Sequence, residues 1–408
     1  MSELSYLEKL LDGVEVEWLP LGEVSALRRG RVMSKGYLTE NFGPYPVYSS
    51  QTANNGKIGS INTFDFDGEY ISWTTDGANA GTVFYRTGKF SITNVCGLIT
   101  LKSKYSLIYK FLFYWLTIEA KKHVYSGMGN PKLMSHQVEN IPVPIPCPDN
   151  PEKSLAIQSE IVRILDTFSA LTAELTAELT AELNMRKKQY NYYRDQLLSF
   201  NTEDVPHLPM GQKDIGEFIR GGTFQKKDFI DAGVGCIHYG QIYTYYGTYT
   251  EKTKTYISTA LAKKCKKAQK GDLIIATTSE NDEDVCKAVA WLGSEDIAVS
   301  SDVCIYKHNL NPKYVSYFFQ TEQFQNQKRQ YITGAKVRRV NADNLSKILI
   351  PVPSMEIQER IVSILDKFDT LTNSITEGLP REIELRQKQY EYYRDLLFSF
   401  PKPETASN

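Results

Sequence analysis

The sequence predicts an α+β protein in which two similar globular α/β blocks alternate with two long helices. Three observations predict it. A 44-residue stretch occurs twice, as IQSEIVRILDTFSALT…RKKQYNYYRDQLLSF from Ile157 to Phe200 and as IQERIVSILDKFDTLT…RQKQYEYYRDLLFSF from Ile357 to Phe400, exactly 200 residues apart. Of the aligned positions 24 of 44 are identical, too many for chance, so the repeat governs the fold. The blocks between the copies read as short alternating strands divided by Gly, Asn and Asp turns. The boundaries follow: a first block at 1–150, a first helix at 151–200, a second block at 201–352, and a second helix with its tail at 353–408.

In the first block YLEKLLDGVEVEWLPLGEV reads as a short helix and then a strand. EYISWT, TVFYR and GLITL read as strands, and IYKFLFYWLTIEAKKHV as a helix. The closing IPVPIP is extended and stiff, because proline fixes its own φ and restricts the residue before it. The first helix carries Ile157, Ile161, Ile164, Phe168, Leu171 and Leu175 at steps of three and four, a seam for another helix. A 44-residue helix spans roughly 66 Å, so it is a spacer as well as a packing surface. Within it TAEL occurs three times running, Thr172–Leu175, Thr176–Leu179 and Thr180–Leu183.

The second block repeats the plan with weaker identity. DGEYISWTT over GDLIIATT places Thr74–Thr75 over Thr277–Thr278. KFLFYW from Lys110 lies over KYVSYF from Lys313, Lys132 over Arg339, and IPVPIP answers ILIPVP. The opening DVPHLPMGQKDIGEFIRGGT departs from the VEWLPLGE spacing of the first block. The second helix repeats the seam at Ile357, Ile361, Ile364, Phe368, Leu371 and Ile375, but Gly378 and Pro380 should interrupt it.

The net charge of −1 hides a distribution. Residues 201–350 carry 20 Lys/Arg against 17 Asp/Glu, and residues 1–150 carry 14 against 14, so any anion-binding face is local to a block. Six scattered cysteines without CxxC spacing argue against a zinc site and for a reducing cytoplasm. The N-terminus does not read as a signal peptide, and no apolar run is long enough to span a bilayer; no membrane partner is expected.

No phosphate loop, GxSxG elbow, HExxH or Asn/Asp-Pro-Pro-aromatic motif is present, so no catalytic residue and no metal ligand is assigned. A folded nucleophile pair such as Cys236 with His238 stays open as an alternative. What remains is a recognition surface. Phosphates take Arg and Lys, and base edges take Arg, Lys, Asn and Gln. In the first block the candidate DNA contacts are Arg28, Arg29, Arg31, Tyr48, Ser49, Ser50, Gln51, Asn54, Asn55, Lys57, Trp73, Thr74, Thr75 and Lys132. In the second they are Arg220, Lys226, Lys227, His238, Tyr239, Gln241, Tyr243, Thr277, Thr278, Lys336, Arg338 and Arg339. Arg28–Arg31 and Lys336–Arg339 also read as solvated surface charge, and Trp73 as core. The basic residues recur at matching places in both blocks, which favours the contact reading. The motif QYxYYRDxLxSF has two readings as well. It seals the helix end, or it is a docking site for another protein, used twice, through Tyr190, Tyr192, Tyr193, Arg194, Tyr390, Tyr392, Tyr393 and Arg394.

Two variable blocks, two near-identical helices, tandem TAEL and the duplicated QYxYYRD together resemble the specificity subunit of a type I restriction–modification enzyme, the IC branch in particular. The resemblance covers essentially the whole chain. It implies two tandem α/β target-recognition domains, each reading one half of a bipartite double-stranded DNA sequence. It implies that the helices pair as an antiparallel coiled coil that separates the domains with pseudo-twofold symmetry. It also implies two methyltransferase subunits, with restriction/motor subunits joining through them. The chain itself would bind no cofactor, S-adenosylmethionine, ATP and Mg belonging to those partners. The competing reading is a non-enzymatic helical scaffold presenting two protein-binding modules.

Overall fold

The computed structural model describes residues 10, 13–127, 129–374 and 376–401. The short helix expected at YLEKLLDG falls largely outside them, as does the seam residue Ile375. The chain forms two compact units, Met1–Thr176 with Leu385–Asn408, and Ala177–Glu384.

The first unit is built on a six-stranded sheet. Its order is Ser25–Arg29, Cys96–Leu101, Phe66–Thr74, Val83–Ile92, Phe42–Tyr48, Lys57–Ile61. The alternating runs EYISWT, TVFYR and GLITL are strands, as expected, and the structure makes them adjacent. Val16–Pro20 pairs antiparallel with Pro142–Pro146, so the proline-rich end is an extended strand at the root of the unit. The helix Tyr109–Glu119 buries Phe111, Leu112 and Trp115 against Trp73 of the sheet. Trp73 fixes its position by donating Nε1–H to the Leu133 carbonyl at 3.0 Å.

The second unit has the same four-strand frame: Gly216–Arg220, Val303–His308, Leu273–Ala276, Ala288–Trp291. A second, four-stranded sheet lies beside it: Thr255–Ile257, Val234–Ile237, Ile297–Val299, Lys267–Ala268. Val234–Ile237 pairs parallel with Ile297–Val299 and antiparallel with Thr255–Ile257, as Phe42–Tyr48 does with Val83–Ile92 and Lys57–Ile61. His207–Pro209 pairs antiparallel with Leu349–Pro351. The opening of the second block thus does match the first. Leu21 N donates to the Ile141 carbonyl and Met210 N to the Ile348 carbonyl, both at 2.9 Å. HLPMG stands where WLPLG stands, and the apparent difference in spacing lies outside these five residues.

Each repeat copy begins by gripping the block that precedes it. Gln158 accepts from Ile108 N and Gln358 from Asn311 N, each at 2.9 Å. Lys110 pairs with Asp166 at 2.6 Å and Lys313 with Asp366 at 2.7 Å. Ile157, Ile161 and Leu165 enter the first core, and Ile361, Val362 and Leu365 the second. Burying one such side chain fully stabilises by about 1.5–3 kcal/mol. The first copy is one continuous helix, Pro151–Leu197, of 47 residues, roughly 70 Å long. The second is divided into Met355–Asn373 and Leu379–Leu397, with Gly378 at φ +81 in the break, as the sequence predicts. Pro380 falls in the first turn of the second piece, where a missing N–H leaves no intrahelical bond unmade.

Inside the first unit the two copies meet in opposite directions. Phe168 stacks on Tyr393 with ring centroids 5.4 Å apart, and one residue later Ser169 donates to Tyr390 at 3.1 Å. In the second unit Tyr190 and Tyr193 pack on Phe368. The seam is narrower than its periodicity predicts. Leu171 and Ile357, the latter in the first helical turn, are exposed. The Leu175, Leu179 and Leu183 stripe of the TAEL repeats is half-buried.

Candidate nucleic-acid interface

The shared frame brings two arginines to one place. Arg29 ends its strand opposite Gly97, and Arg220 ends its strand opposite Cys304. The neighbouring ladders agree, since Trp73 faces Gly97 and Ile275 faces Cys304. Arg29 donates Nη2–H to the Asn94 carbonyl at 2.7 Å and to Thr75 Oγ1 at 3.1 Å. Arg220 donates Nε–H to the Ser301 carbonyl at 3.1 Å. Both arginines are exposed. Arg28, next to Arg29 in an extended strand, points to the other face of the sheet and is also exposed.

The ladders shift one sequence expectation by a residue. Thr75 accepts from Leu133 N, and Thr277 from Val340 N, through their carbonyls. Asp76 is bridged to Lys132, and Thr278 to Arg339. Thr75 therefore corresponds to Thr277 and Asp76 to Thr278, whereas the pairing of Lys132 with Arg339 stands. Arg220, Thr277, Thr278, Arg339 and Asn341 line one cleft of about 280 Å³, with Asp302 also on its wall.

Around this notch the two units differ. In the first, Tyr48 to Lys57 form a loop over the sheet. Ser49 accepts from Thr93 at 2.8 Å, Ser50 donates to the Asp76 carbonyl at 2.8 Å, and Gln51 donates to the Lys57 carbonyl at 2.7 Å. Asn54 and Asn55 are exposed at φ +50 and +52, a left-handed pair that asparagine tolerates better than most residues. Trp73, Thr74 and Thr75 are buried beneath, their polar atoms bonded within the unit. Arg31 is paired with Asp65 at 3.0 Å, which neutralises its charge locally.

The residue that shapes this loop was not among the sequence candidates. Arg86 is 3% exposed, its guanidinium 3.6 Å from the Tyr48 ring centroid. It donates to Ser72 Oγ at 3.0 Å and to the Asn55 carbonyl at 2.9 Å. Burial pushes its pKa down to about 10, so it stays charged near neutral pH. A cation inside TVFYR, an otherwise strand-like run, was the available signal.

In the second unit the corresponding edge is a short helix, Tyr239–Thr244. His238 caps it by accepting from Gly240 N at 3.2 Å, and burial, then the charge of Lys226, lowers its pKa. Gln241 bonds Thr255, and Tyr243 donates to the Thr278 carbonyl at 2.8 Å. Tyr239 is half-buried, and Lys226, Lys227, Lys336 and Arg339 are exposed. Arg338 pairs with Asp282 at 2.8 Å. The Cys236 thiol is fully buried and burial pushes its pKa up, which is the wrong direction for a nucleophile paired with His238. Among the described residues no cluster of His, Cys, Asp and Glu could hold a metal, and no helix is long and apolar enough to cross a membrane.

The duplicated QYxYYRD motif divides into an inward and an outward face. Tyr190 is buried and bonds Gln320, and Arg194 lies over the Tyr190 ring with 8% exposure. Tyr390 and Tyr393 contact Ser169 and Phe168, and Arg394 pairs with Asp395. Tyr192 and Tyr392 point out, 60% and 59% exposed, each edge-on to the tyrosine that follows it. Tyr193 is itself partly exposed, at 46%.

Comparison with known proteins bears on this arrangement. A family model described as the type I restriction modification DNA specificity domain matches residues 13–185 and 209–385. The chain is 40% identical over 432 aligned residues to the type I restriction enzyme EcoR124I/EcoR124II specificity subunit of Escherichia coli, covering 100% of both chains. It is 34% identical to the putative type I restriction enzyme specificity subunit S.HindORF215P of Haemophilus influenzae, covering 97% of this chain and 98% of that one. A solved chain from work on complex assembly and conformational transition of the type I R-M system aligns over 95% of this chain and 98% of its own, with TM-score 0.63. At 14% identity that likeness concerns the fold.

Proposed function

Because the chain belongs to the family of type I restriction–modification DNA specificity subunits, we propose that each of its two units reads one half of a bipartite target in double-stranded DNA. As a specificity subunit the chain recognises a DNA target and is not itself catalytic. The observation that carries the proposal is the repeated frame. Arg29 and Arg220 end equivalent strands, beside segments that differ in length and conformation between the units. A constant platform with two unlike edges suits two unlike half-sites.

The same proposal extends to partners. Tyr192 and Tyr392 are large, exposed and identically placed in the two repeats, and exposed aromatic anchors favour protein interfaces. Each recruits one methyltransferase subunit, and restriction/motor subunits join through the methyltransferase. S-adenosylmethionine, ATP and Mg are then held by those partners, in the cytoplasm where the DNA lies.

Exchange of residues 21–140 for the corresponding block of a relative tests the reading. Sequencing of methylated sites should show one half of the target replaced and the other unchanged. Alteration of both halves would overturn the assignment of one unit to one half-site.

A further inference from the structure

We propose that Arg29 and Arg220 are two copies of one anchor for a DNA backbone phosphate, and that bases are read by the parts the two units do not share. The inference rests on the DNA-reading function proposed above and assigns a ligand chemistry within it.

Four observations lead to it. Both arginines end the same strand of the common frame, opposite Gly97 and Cys304. Both are fixed by a backbone carbonyl at equivalent positions, Asn94 and Ser301. That bond orients each guanidinium and leaves other N–H groups to donate, Nε and Nη1 of Arg29 and both terminal nitrogens of Arg220. Among the described residues neither arginine forms an ion pair with a carboxylate, unlike Arg31 with Asp65 and Arg338 with Asp282. Each notch holds a second exposed cation, Lys132 across from Asp76 and Arg339 across from Thr278.

The carboxylates nearby are Asp76 in the first unit and Asp302 on the wall of the second cleft. Asp76 accepts from Thr75 at 2.6 Å. Two cations against one carboxylate leave each notch net positive, with donors still unused. A pre-oriented guanidinium forks onto two oxygens of one phosphate. Phosphates are the same in every sequence and base edges are not. A device kept in both of two units that read different half-sites therefore fits the constant partner. The loop from Tyr48 to Lys57 and the helix Tyr239–Thr244 follow equivalent strands but differ in length and conformation, and are left as readers.

The test uses the full chain and a pool of duplexes of randomised sequence, with affinity followed against salt and bound sequences recovered. Each neutralised phosphate contributes about 0.9 to the slope of log K against log salt. Arg29→Gln and Arg220→Gln should each lower that slope by about 0.9, while Arg29→Lys and Arg220→Lys keep it. All four variants should enrich the sequences that the parent enriches. An unchanged slope in the Gln variants overturns the anchor, as does an altered enriched sequence, which would make these arginines base readers. Loss of slope in a folded Lys variant also overturns it, because the charge is retained. A parent chain that enriches no sequence sinks the DNA-reading function itself, a distinct result.

Discussion

The Tyr317 hydroxyl donates to Asp366 Oδ1 at 2.7 Å while Lys313 pairs with the other carboxylate oxygen. Tyr114, Lys110 and Asp166 make the same three-way contact in the first unit. Tyr317 is fully buried, so its hydroxyl has no water to turn to if the carboxylate is removed. Asp366→Ala should destabilise the second unit by about 2–3 kcal/mol in urea unfolding. Asp166→Ala should cost less, because Lys110 and Asp166 are more exposed than their counterparts. Equal, negligible losses would mean that apolar packing alone holds each helix to its block.

Arg86→Met removes the donors to Ser72 and to the Asn55 carbonyl while roughly keeping volume. The expected outcome is a changed or relaxed preference at one half-site, with the other half unchanged, in sequences selected from randomised duplexes. Arg86→Lys should not rescue, since one ammonium cannot reach both acceptors and also lie flat on Tyr48. Unaltered selection by a folded Arg86→Met chain would show that the loop from Tyr48 to Lys57 does not read bases.

Tyr192→Ala and Tyr392→Ala leave the inward residues Tyr190, Tyr193, Tyr390 and Tyr393 in place. Thermal unfolding should be nearly unchanged. Methyltransferase binding should weaken by about 2 kcal/mol per site. Titration calorimetry of each single variant should show one weakened and one normal site. Full-strength assembly by the double variant would return the motif to the role of a helix-end seal.

His308 introduces a pH dependence. Burial against Tyr306 pushes its pKa down to about 4 from an ordinary 6.5, with a weaker upward pull from the backbone of Leu310. The unfolded chain therefore binds more protons than the folded one between those values. The stability is fully present above about pH 6.5, falls as the pH falls, and is lost below about 4, a difference of about 3 kcal/mol. Leu101 occupies the same ladder position in the first unit, so His308→Leu is a native-like replacement. It should flatten the urea midpoint across that pH window; an unchanged acid limb would assign the effect to other groups.

Deletion of Thr176–Leu179 turns the rest of an α-helix by about 400°, a net rotation of only about 40°, and shortens it by about 6 Å. The half-buried Leu175, Leu179 and Leu183 stripe tolerates such a step. At about 3.4 Å per base pair the half-sites should approach by one or at most two base pairs, with their sequences unchanged. Methylated-site sequencing reads both quantities. An unchanged gap would reduce TAEL to a tolerant linker, and altered half-sites would make the helix part of the reader.

The helical repeat was legible because its register never slips: Gln158, Asp166 and Tyr190 have counterparts at one constant separation, and in both units they do related work. The frame of the blocks was less so. Loops of unequal length separate its strands, so no single shift aligns them. The identical pair Thr74–Thr75 drew the alignment one residue away from the ladder, and in a strand one residue exchanges the two faces. Arg29 and Arg220 share only the glycine that follows each, too little to align on, and the ladders to Gly97 and Cys304 show them to be equivalent. Arg86 was missed because alternation within a strand says which residues share a face, not which face another loop covers.

The first unit is closed by the last residues of the second repeat. Leu397, Phe398 and Phe400 are buried in the core that Trp73, Phe111 and Trp115 begin, and Trp18 donates to the Pro401 carbonyl at 2.9 Å. A ribosome emits the N-terminal residues first, at roughly 5–20 residues per second, and domains usually fold in that order. Here Ala177–Glu384 is complete when it has emerged, whereas the earlier-made unit waits, on the order of ten seconds or more, for its last helix. During that interval Phe111 and Trp115 lack the aromatic partners that cover them in the finished chain. The first unit to be synthesised is the last to be finished, and a nascent chain is exposed to chaperones and proteases on the side that was translated earliest.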